Sequence, residues 1–193
     1  VHLYTQSGKK LTFDEDRNVF VPKAENSAQI CVGSCGGDFE LDVIIKNLNH
    51  KLKNFLNINK TDFEDITLEN NHETSKRNIW LLPSDKPIGK TKPFVDYQND
   101  ATAKDIKLAL REGFRSIEHV KRYTTTGMGT DQGKLGNMHA LGIIADTAGV
   151  KMGELGTTTF RPPYTPLTFG TIVGRNVGKF FDTFRRTPMN DWH

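Results

Sequence analysis

The spacing of the hydrophobic residues changes near residue 38 and predicts different elements on either side of that point. Before it, residues 11–13 and 18–22 are short β-type runs around a polar, turn-prone segment, which predicts a hairpin. Val1–Tyr4 also has a strand-like pattern, and residues 29–32 predict a short buried strand.

From Asp38 onward the period lengthens to about 3.6 residues, which predicts an amphipathic helix. Its apolar face consists of Leu41, Ile44, Ile45, Leu48, Leu52, Phe55 and Leu56. A strand, the glycine-rich turn at 33–37 and this helix would form a βα unit, in which N–H groups at the helix N-terminus can meet a phosphate or a ribose. A tight turn without a ligand is the alternative, because the G-x-G-x-x-G fingerprint is absent.

The polar stretch 57–78 has no sustained period and predicts a long loop or linker, which continues through a basic connector as far as Pro93. A second module begins at Phe94, where residues 94–98 predict a short strand. Three helices follow around a glycine-rich loop, at 102–114 with a capping box formed by Thr102 and Asp105, at 116–122, and at 135–148.

The tail cannot begin as a helix, because Pro162, Pro163 and Pro166 fix the backbone and remove hydrogen-bond donors. A short helix is predicted at 167–174. The aromatic residues beyond it stand among two arginines and predict packing against another domain: Phe180, Phe181, Phe184 and Trp192 beside Arg185 and Arg186.

Composition narrows the classes of function. The 193 residues carry 26 Lys plus Arg against 23 Asp plus Glu, and this mild excess of +3 argues against dedicated nucleic-acid binding. No apolar run reaches the roughly 18 to 20 residues that cross a bilayer, and no secretory signal opens the sequence, so we expect a soluble cytoplasmic protein without membrane contact. Cys31 and Cys35 are the only cysteines, and their spacing predicts neither a disulfide scaffold nor a metal site. The start without a Met and the abrupt end predict a piece of a longer protein.

Residues 119–134 hold the strongest chemical signal, with three cations, four Thr and three Gly in sixteen residues. A helix C-terminus that leads into a glycine loop with Lys, Arg and hydroxyl groups suits an anionic ligand, because N–H groups and charges converge there. A solvated loop with capping Thr residues is the alternative.

Three segments resemble the alpha subunits of heterotetrameric sarcosine oxidases: 94–100 (FVDYQND), 119–134 (HVKRYTTTGMGTDQGK) and 156–166 (GTTTFRPPYTP). The resemblance covers residues 1–56 and 79–193. It implies that the first part closes a dinucleotide-binding region and that the second lies between this region and a folate-binding domain.

The central module is also similar to small helical [2Fe-2S] domains of the bacterioferritin-associated-ferredoxin type. On that pattern the four ligand positions hold Asp96, Gln98, Asp131 and Gly136. A cluster needs thiolate ligands, so the resemblance implies this scaffold without its iron.

The resemblance also implies the cofactors and where they bind. NAD is expected at the glycine turn, through Gly33, Ser34, Cys35, Gly36 and Phe39. FAD stays an alternative, disfavoured because the Gly-Asp pair of flavin-reductase relatives is missing. An FMN held mainly by a beta subunit is expected to lie near Lys121, Arg122, Thr124, Thr125, Asp131, Gln132 and Lys134. No catalytic residue and no metal ligand is expected in this chain.

The expected fold class is therefore α+β: the end of a Rossmann-like region at 1–56, a linker at 57–93, a cluster-less helical module at 94–150 and an extended tail at 151–193 that leads to a folate-binding domain.

The function that the resemblance implies is oxidative demethylation of sarcosine to glycine by a flavoprotein oxidoreductase with beta, gamma and delta partner subunits. Two alternatives stay open: a related proline or opine dehydrogenase, and a non-catalytic interaction module. The isolated segment is expected to be inactive.

Overall fold

The computed structural model describes residues 1–23, 29–57, 68, 78–182 and 184–193. The chain divides into two units, Val1–Phe160 and Arg161–His193. The first unit mixes helices with two small sheets, which confirms the α+β class at this level. Most of the loop predicted at 57–78 lies outside the described residues.

The first elements are a short helix and a hairpin. Helix α1 spans His2–Gln6, so the interpretation of Val1–Tyr4 as strand-like is wrong. Tyr4 on α1 is buried, and Thr5 Oγ1 donates to the His2 carbonyl at 2.8 Å within the same turn. Strands β1 (Leu11–Asp14) and β2 (Val19–Pro22) pair antiparallel, as predicted.

The strand predicted at 29–32 is also wrong. Only Gln29 forms an isolated bridge, and Gly33–Gly36 follows as one turn of 3-10 helix. The carbonyl of Cys31 accepts a hydrogen bond from Lys51 Nζ at 2.9 Å, so a side chain takes the place that a neighbouring strand would fill.

Helix α2 spans Leu41–Leu56 and ends at Asn57 in the left-handed conformation, as the period predicted. Its apolar face is only partly covered: the middle of the face is half-buried, but Leu41 and Leu56 are each 54% exposed, and Phe55 is 44% exposed. The pattern therefore predicted the helix correctly but not the burial of its face within the described chain.

The second half is compact. After a 3-10 turn at Ile88–Lys90, strand β3 (Phe94–Asp96) pairs antiparallel with β4 (Ala101–Thr102) through an irregular register. Four helices follow: α3 (Ala103–Arg111), α4 (Ile117–Thr124), α5 (Gly136–Ala148) and α6 (Met152–Leu155).

The capping box predicted for α3 is confirmed. Thr102 Oγ1 accepts the N–H of Asp105 at 3.4 Å, and Asp105 Oδ2 accepts the N–H of Thr102 at 2.8 Å. The predicted start of α4 is confirmed as well, although Ser116 makes no side-chain cap.

The core lies among α3, α4 and α5. Its largest fully buried side chains are Ile106, Val120, Leu141 and Ile144, and β2 adds Phe20. Each such side chain contributes about 1.5 to 3 kcal/mol by leaving water. This core fixes the two helix ends between which the glycine-rich loop runs.

The second unit is made of short elements. Helix α7 spans Phe169–Val173, and a kinked 3-10 segment covers Arg175–Phe180. The segment 156–166 is free of helix, as the prolines predicted. Several large apolar side chains of this unit are well exposed, among them Phe169, Ile172, Phe180, Phe184 and Trp192. None of the described helices, in either unit, has the length and apolar character needed to span a membrane.

Candidate functional site

The segment between α4 and α5, residues 125–135, is called the glycine loop here. Thr125 ends α4 with a φ of 60°, and Gly127, Gln132 and Gly133 also adopt positive φ, at 73°, 53° and 70°. These left-handed residues turn the chain back on itself within a few positions, which is why glycine recurs here.

Most N–H groups of the glycine loop already have acceptors within the chain. Met128 N–H donates to the Thr125 carbonyl at 3.1 Å, and Gln132 N–H donates to that of Gly129 at 3.0 Å. Gly133 N–H donates to Asp131 Oδ1 at 3.1 Å. An anionic ligand therefore meets few open backbone donors at this loop.

The acceptor for Gly127 is a carboxylate. Asp96, at the end of β3, is only 6% exposed, and its Oδ2 accepts the Gly127 N–H at 2.7 Å. Its Oδ1 accepts the N–H groups of Gln98 and Asn99 at 2.9 and 3.0 Å. Burial alone raises the pKa of Asp96, but these hydrogen bonds outweigh it and hold the pKa below its ordinary value.

Gln98 also joins β3 to the loop. Its Oε1 accepts a hydrogen bond from Thr130 Oγ1 at 3.2 Å and a long one from Asp131 N–H at 3.4 Å. A Cβ at Gly129 would overlap the Gln98 side chain, so only glycine allows this approach.

Three of the four positions implied by the [2Fe-2S] resemblance thus lie together: Asp96, Gln98 and Asp131 are linked through the loop. The fourth, Gly136, is packed so closely that a Cβ there would overlap the carbonyl of Val95. Asp96 and Gln98 accept hydrogen bonds from the loop backbone within the chain. In the described residues no group of three or more His, Cys, Asp or Glu is placed to hold a metal ion.

The cations and hydroxyl groups expected near FMN differ in what they contact. Arg122 Nη1 pairs with Glu118 Oε2 at 2.9 Å, within its own helix. Thr124 Oγ1 donates to the Val120 carbonyl at 2.8 Å, and Thr125 Oγ1 donates to the Thr124 carbonyl. Lys121 is half-buried on the last turn of α4.

Gln132 and Lys134 lie at the far end of the loop. The Gln132 carbonyl accepts from Asn137 Nδ2 at 2.8 Å, which ties the loop to the first turn of α5. Lys134 lines a cavity of about 150 Å³, whose wall also includes His2 and Phe160. The rest of the cavity wall is mostly apolar, so the Lys134 ammonium lies beside an apolar surface.

The second predicted site, residues 33–37, is called the glycine turn here. Ser34 and Phe39 are exposed. At Gly36, a Cβ would lie 3.1 Å from the Cys31 carbonyl, so the backbone of the chain itself takes the space that a side chain would need. Burial, and then a hydrogen bond with Cys35, raises the pKa of the Cys31 thiol, which therefore stays neutral.

Both signs of charge lie near the glycine turn, where the Arg17 guanidinium of the hairpin reaches Gly37 and three carboxylates stand at the start of α2. The N-terminus of α2 lies among Asp38, Glu40 and Asp42. Their negative charges interact favourably with the positive end of the helix dipole. These carboxylates suit the hydroxyl groups of a ribose better than a phosphate. The glycine turn and the glycine loop stand on different elements, before α2 and before α5.

Two contributions were missed from the sequence. Arg17 in the hairpin reaches the glycine turn, with Nη1 3.2 Å from where a Cβ of Gly37 would lie. The bond from Gly127 to Asp96 spans 31 residues and had no local signal. The Asp96 side chain also accepts the N–H groups two and three residues on. This Asx turn is a local pattern, so of the bonds made by Asp96 it is the part that the sequence could have indicated.

The glycine loop lies in a part of the chain that is similar to a known family. Residues 90–175 match the family described as the sarcosine oxidase A3 domain. The matched range contains the whole glycine loop, together with Asp96 and Gln98.

Curated relatives carry the same name. The chain is 52% identical over 114 residues to the sarcosine oxidase alpha subunit of Rhizobium meliloti (strain 1021), covering 59% of this chain and 11% of that protein. It is 36% identical over 201 residues to that of Corynebacterium sp. (strain P-1), covering 100% of this chain and 21% of that protein. The expected resemblance to sarcosine oxidase alpha subunits is confirmed, and the chain spans about a tenth to a fifth of these relatives.

Two further likenesses are more distant. A subunit of opine oxidase from Rhizobium meliloti (strain 1021) is 34% identical over 74 residues, covering 38% of this chain and 16% of that protein. The crystal structure of L-proline dehydrogenase from P. horikoshii aligns with a TM-score of 0.53 at 20% identity, over 89% of this chain and 36% of that one. This structural likeness concerns the fold.

Proposed function

We propose that the chain is a segment of the alpha subunit of a flavin-dependent sarcosine oxidase, an enzyme that demethylates sarcosine oxidatively to glycine. The observation that carries the proposal is the match of residues 90–175 to the sarcosine oxidase A3 domain. The alignment with a complete alpha subunit over the full chain supports it. The segment itself supplies binding surfaces and no catalytic group.

The glycine loop is proposed as the alpha-side wall of an FMN pocket whose other wall is a beta subunit. Lys121 and Lys134 place positive charge at the two ends of the loop, and Thr125 adds an exposed hydroxyl group. Most N–H groups of the loop already donate to acceptors within the chain. A phosphate would therefore be held by these side chains and not by the backbone. FMN itself supplies the two-electron oxidation.

The glycine turn is proposed as part of a dinucleotide site, at the end of a Rossmann-like region at 1–56. The acidic residues around the start of α2 support contact with ribose hydroxyl groups. Exposed Phe39 supports stacking on a ring of the ligand. NAD is the proposed dinucleotide, and FAD is the alternative.

The remaining organisation is proposed by the same resemblance. Residues 94–150 are a cluster-less relative of [2Fe-2S] modules, 57–93 a linker, and 151–193 a tail toward a folate-binding domain of the same chain. Beta, gamma and delta subunits complete a cytoplasmic heterotetramer. No partner role for nucleic acid or membrane is proposed.

The test uses the full-length alpha subunit produced together with its partner subunits. Glycine formed from sarcosine is measured by mass spectrometry and compared with the oxidation of proline and of an opine under the same conditions. Sarcosine is expected as the preferred substrate, with about one flavin bound per alpha subunit besides any dinucleotide. A complex that oxidises proline or an opine and leaves sarcosine unchanged contradicts the proposal.

Opine oxidation is the second candidate, because a subunit of an opine oxidase aligns with part of the chain. The higher identity to sarcosine oxidase over a longer stretch ranks it below the first candidate. The missing cysteine ligands also favour the sarcosine branch. The substrate comparison separates the two.

A further inference from the structure

We propose that Asp96 is an internal anion of the glycine loop, whose carboxylate takes the position at the Gly127 N–H that an external phosphate or carboxylate would otherwise occupy. The proposal concerns a bond within the chain and goes beyond the proposed activity. It does not depend on which amine the full enzyme oxidises.

The bond has the geometry of a charge-assisted contact. Asp96 is almost fully buried, and its Oδ2 lies 2.7 Å from the Gly127 nitrogen. N–H bonds to ionised acceptors are shorter than neutral ones and about twice as strong. Gly127 is buried as well, so water competes little for this donor.

The carboxylate is fixed before it meets the loop. Oδ1 accepts two N–H groups from the turn that follows β3, those of Gln98 and Asn99. Asn99 Nδ2 also donates to Oδ2 at 3.3 Å. These bonds hold the side chain in one orientation, with Oδ2 aimed at Gly127.

The loop is closed over this contact from its other side. A Cβ at Gly127 or at Gly133 would overlap the amide of Asn137, which shows how tightly α5 packs against the loop. Asn137 N–H donates to the Gly133 carbonyl at 2.8 Å. A phosphate that approaches the loop therefore meets side chains, because the carboxylate already holds the Gly127 donor.

The test is chemical rescue in the full-length protein. Asp96→Ala removes the carboxylate and leaves space beside the Gly127 N–H, and sodium formate is added as the replacement anion. Formate at about ten times its dissociation constant should slow the opening of residues 124–134 about tenfold, as followed by amide hydrogen exchange. Sodium chloride at equal ionic strength should give no such slowing, and formate should not affect the wild type.

A second pair of variants decides the question if Asp96→Ala does not fold. Asp96→Asn keeps the shape and removes the charge, and Asp100→Asn makes the same change at an exposed position four residues on. Exchange of the Gly127 amide should be at least about tenfold faster in Asp96→Asn, which corresponds to the loss of one charge-assisted hydrogen bond. It should be unchanged in Asp100→Asn.

Three results would overturn the proposal. The first is equal exchange of Gly127 in Asp96→Asn and the wild type. The second is an equal effect of formate on Asp96→Ala and the wild type. The third is protection of Gly127 in the wild type only after inorganic phosphate is added, which would make the loop an external anion site.

Discussion

The glycine turn before α2 and the glycine loop before α5 each lead into a long helix, yet they are held in different ways. The loop is bonded from two sides, by Asp96 on β3 and by Asn137 on α5. The turn closes on itself, with Asp38 N–H donating to the Gly33 carbonyl at 3.1 Å. Its outer residues Ser34 and Phe39 stay exposed.

The difference shows that glycines serve packing throughout the loop, whereas in the turn they serve packing at Gly36 and Gly37 and leave space at Gly33. In the loop, the glycines allow Gln98 and Asn137 to approach the backbone. In the turn, Gly33 has only Ile44 nearby, 3.8 Å from where a Cβ would lie, whereas a Cβ at Gly37 would overlap Val21 of β2 at 2.8 Å. A ligand therefore meets packed side chains at the loop and, at the turn, the exposed Ser34 and Phe39 beside the carboxylates at the start of α2.

The largest expected effect separates these two uses of glycine. Gly133→Ala adds an overlap with Asn137 to a residue at positive φ, and should cost about 3 kcal/mol of unfolding free energy. Gly33→Ala has the same backbone strain without the overlap and should cost about 1 kcal/mol. Urea denaturation measures both. Equal losses would mean that the loop is packed no more tightly than the turn.

A second prediction concerns the Asp96 carboxylate, which accepts a hydrogen bond from the loop. Asp96→Asn should lower the unfolding free energy at pH 7 by about 2 kcal/mol, because a charged acceptor is lost. The folded pKa of Asp96 lies below its unfolded value, so the wild-type advantage is full above about pH 3.9 and is lost as the pH falls through the folded pKa.

Urea titrations at pH 7 and in steps down to about pH 2 measure this difference. The two curves should converge in acid. A gap between the wild type and Asp96→Asn that stays constant to the lowest pH contradicts the assignment of an ionised acceptor.

The third prediction ranks the two cations at the end of α4. Lys121→Ala in the assembled enzyme should weaken FMN retention about tenfold, the loss of one charge-assisted contact. Arg122→Ala should weaken it less, since that guanidinium is shared with Glu118.

Flavin released on dilution is measured by fluorescence, with Lys104→Ala on α3 as the matched exposed control. Equal FMN retention in Lys121→Ala and Lys104→Ala would remove the loop from the FMN pocket.

The smallest effect on stability is expected at the glycine turn. Ser34→Ala and Phe39→Ala change exposed side chains and should alter the unfolding free energy by less than about 0.5 kcal/mol. NAD affinity of the full-length protein, measured by calorimetry, should nevertheless fall in Phe39→Ala. Unchanged NAD affinity in both variants would argue that the turn binds no dinucleotide.

Local signals in the sequence located most of the helices. The period over Leu41–Leu56 and the capping box at Thr102 are properties of neighbouring residues, and the structure confirms the elements they predicted. The strand expected at 29–32 failed because short apolar runs need a partner strand, and Lys51 bonds to Cys31 there instead.

The candidate site was only partly predictable for the same reason. Residue types predicted an anionic ligand at the glycine loop, which stays a prediction; the structure shows the Asp96 carboxylate bonded to the Gly127 N–H there. The pairing of Arg122 with Glu118 follows helix spacing and was within reach of the sequence. The bonds from Gly127 to Asp96 and from Thr130 to Gln98 depend on how β3 packs against the loop, which no local pattern encodes.

Amide hydrogen exchange of Gly127 in the unliganded full-length protein tests the central claim most directly, since the claim is that the chain itself occupies this donor. The amide should exchange slowly without any ligand, and its rate should not change when inorganic phosphate or FMN is added. Fast exchange that becomes slow only with phosphate or FMN would contradict the account and make the glycine loop a backbone anion site.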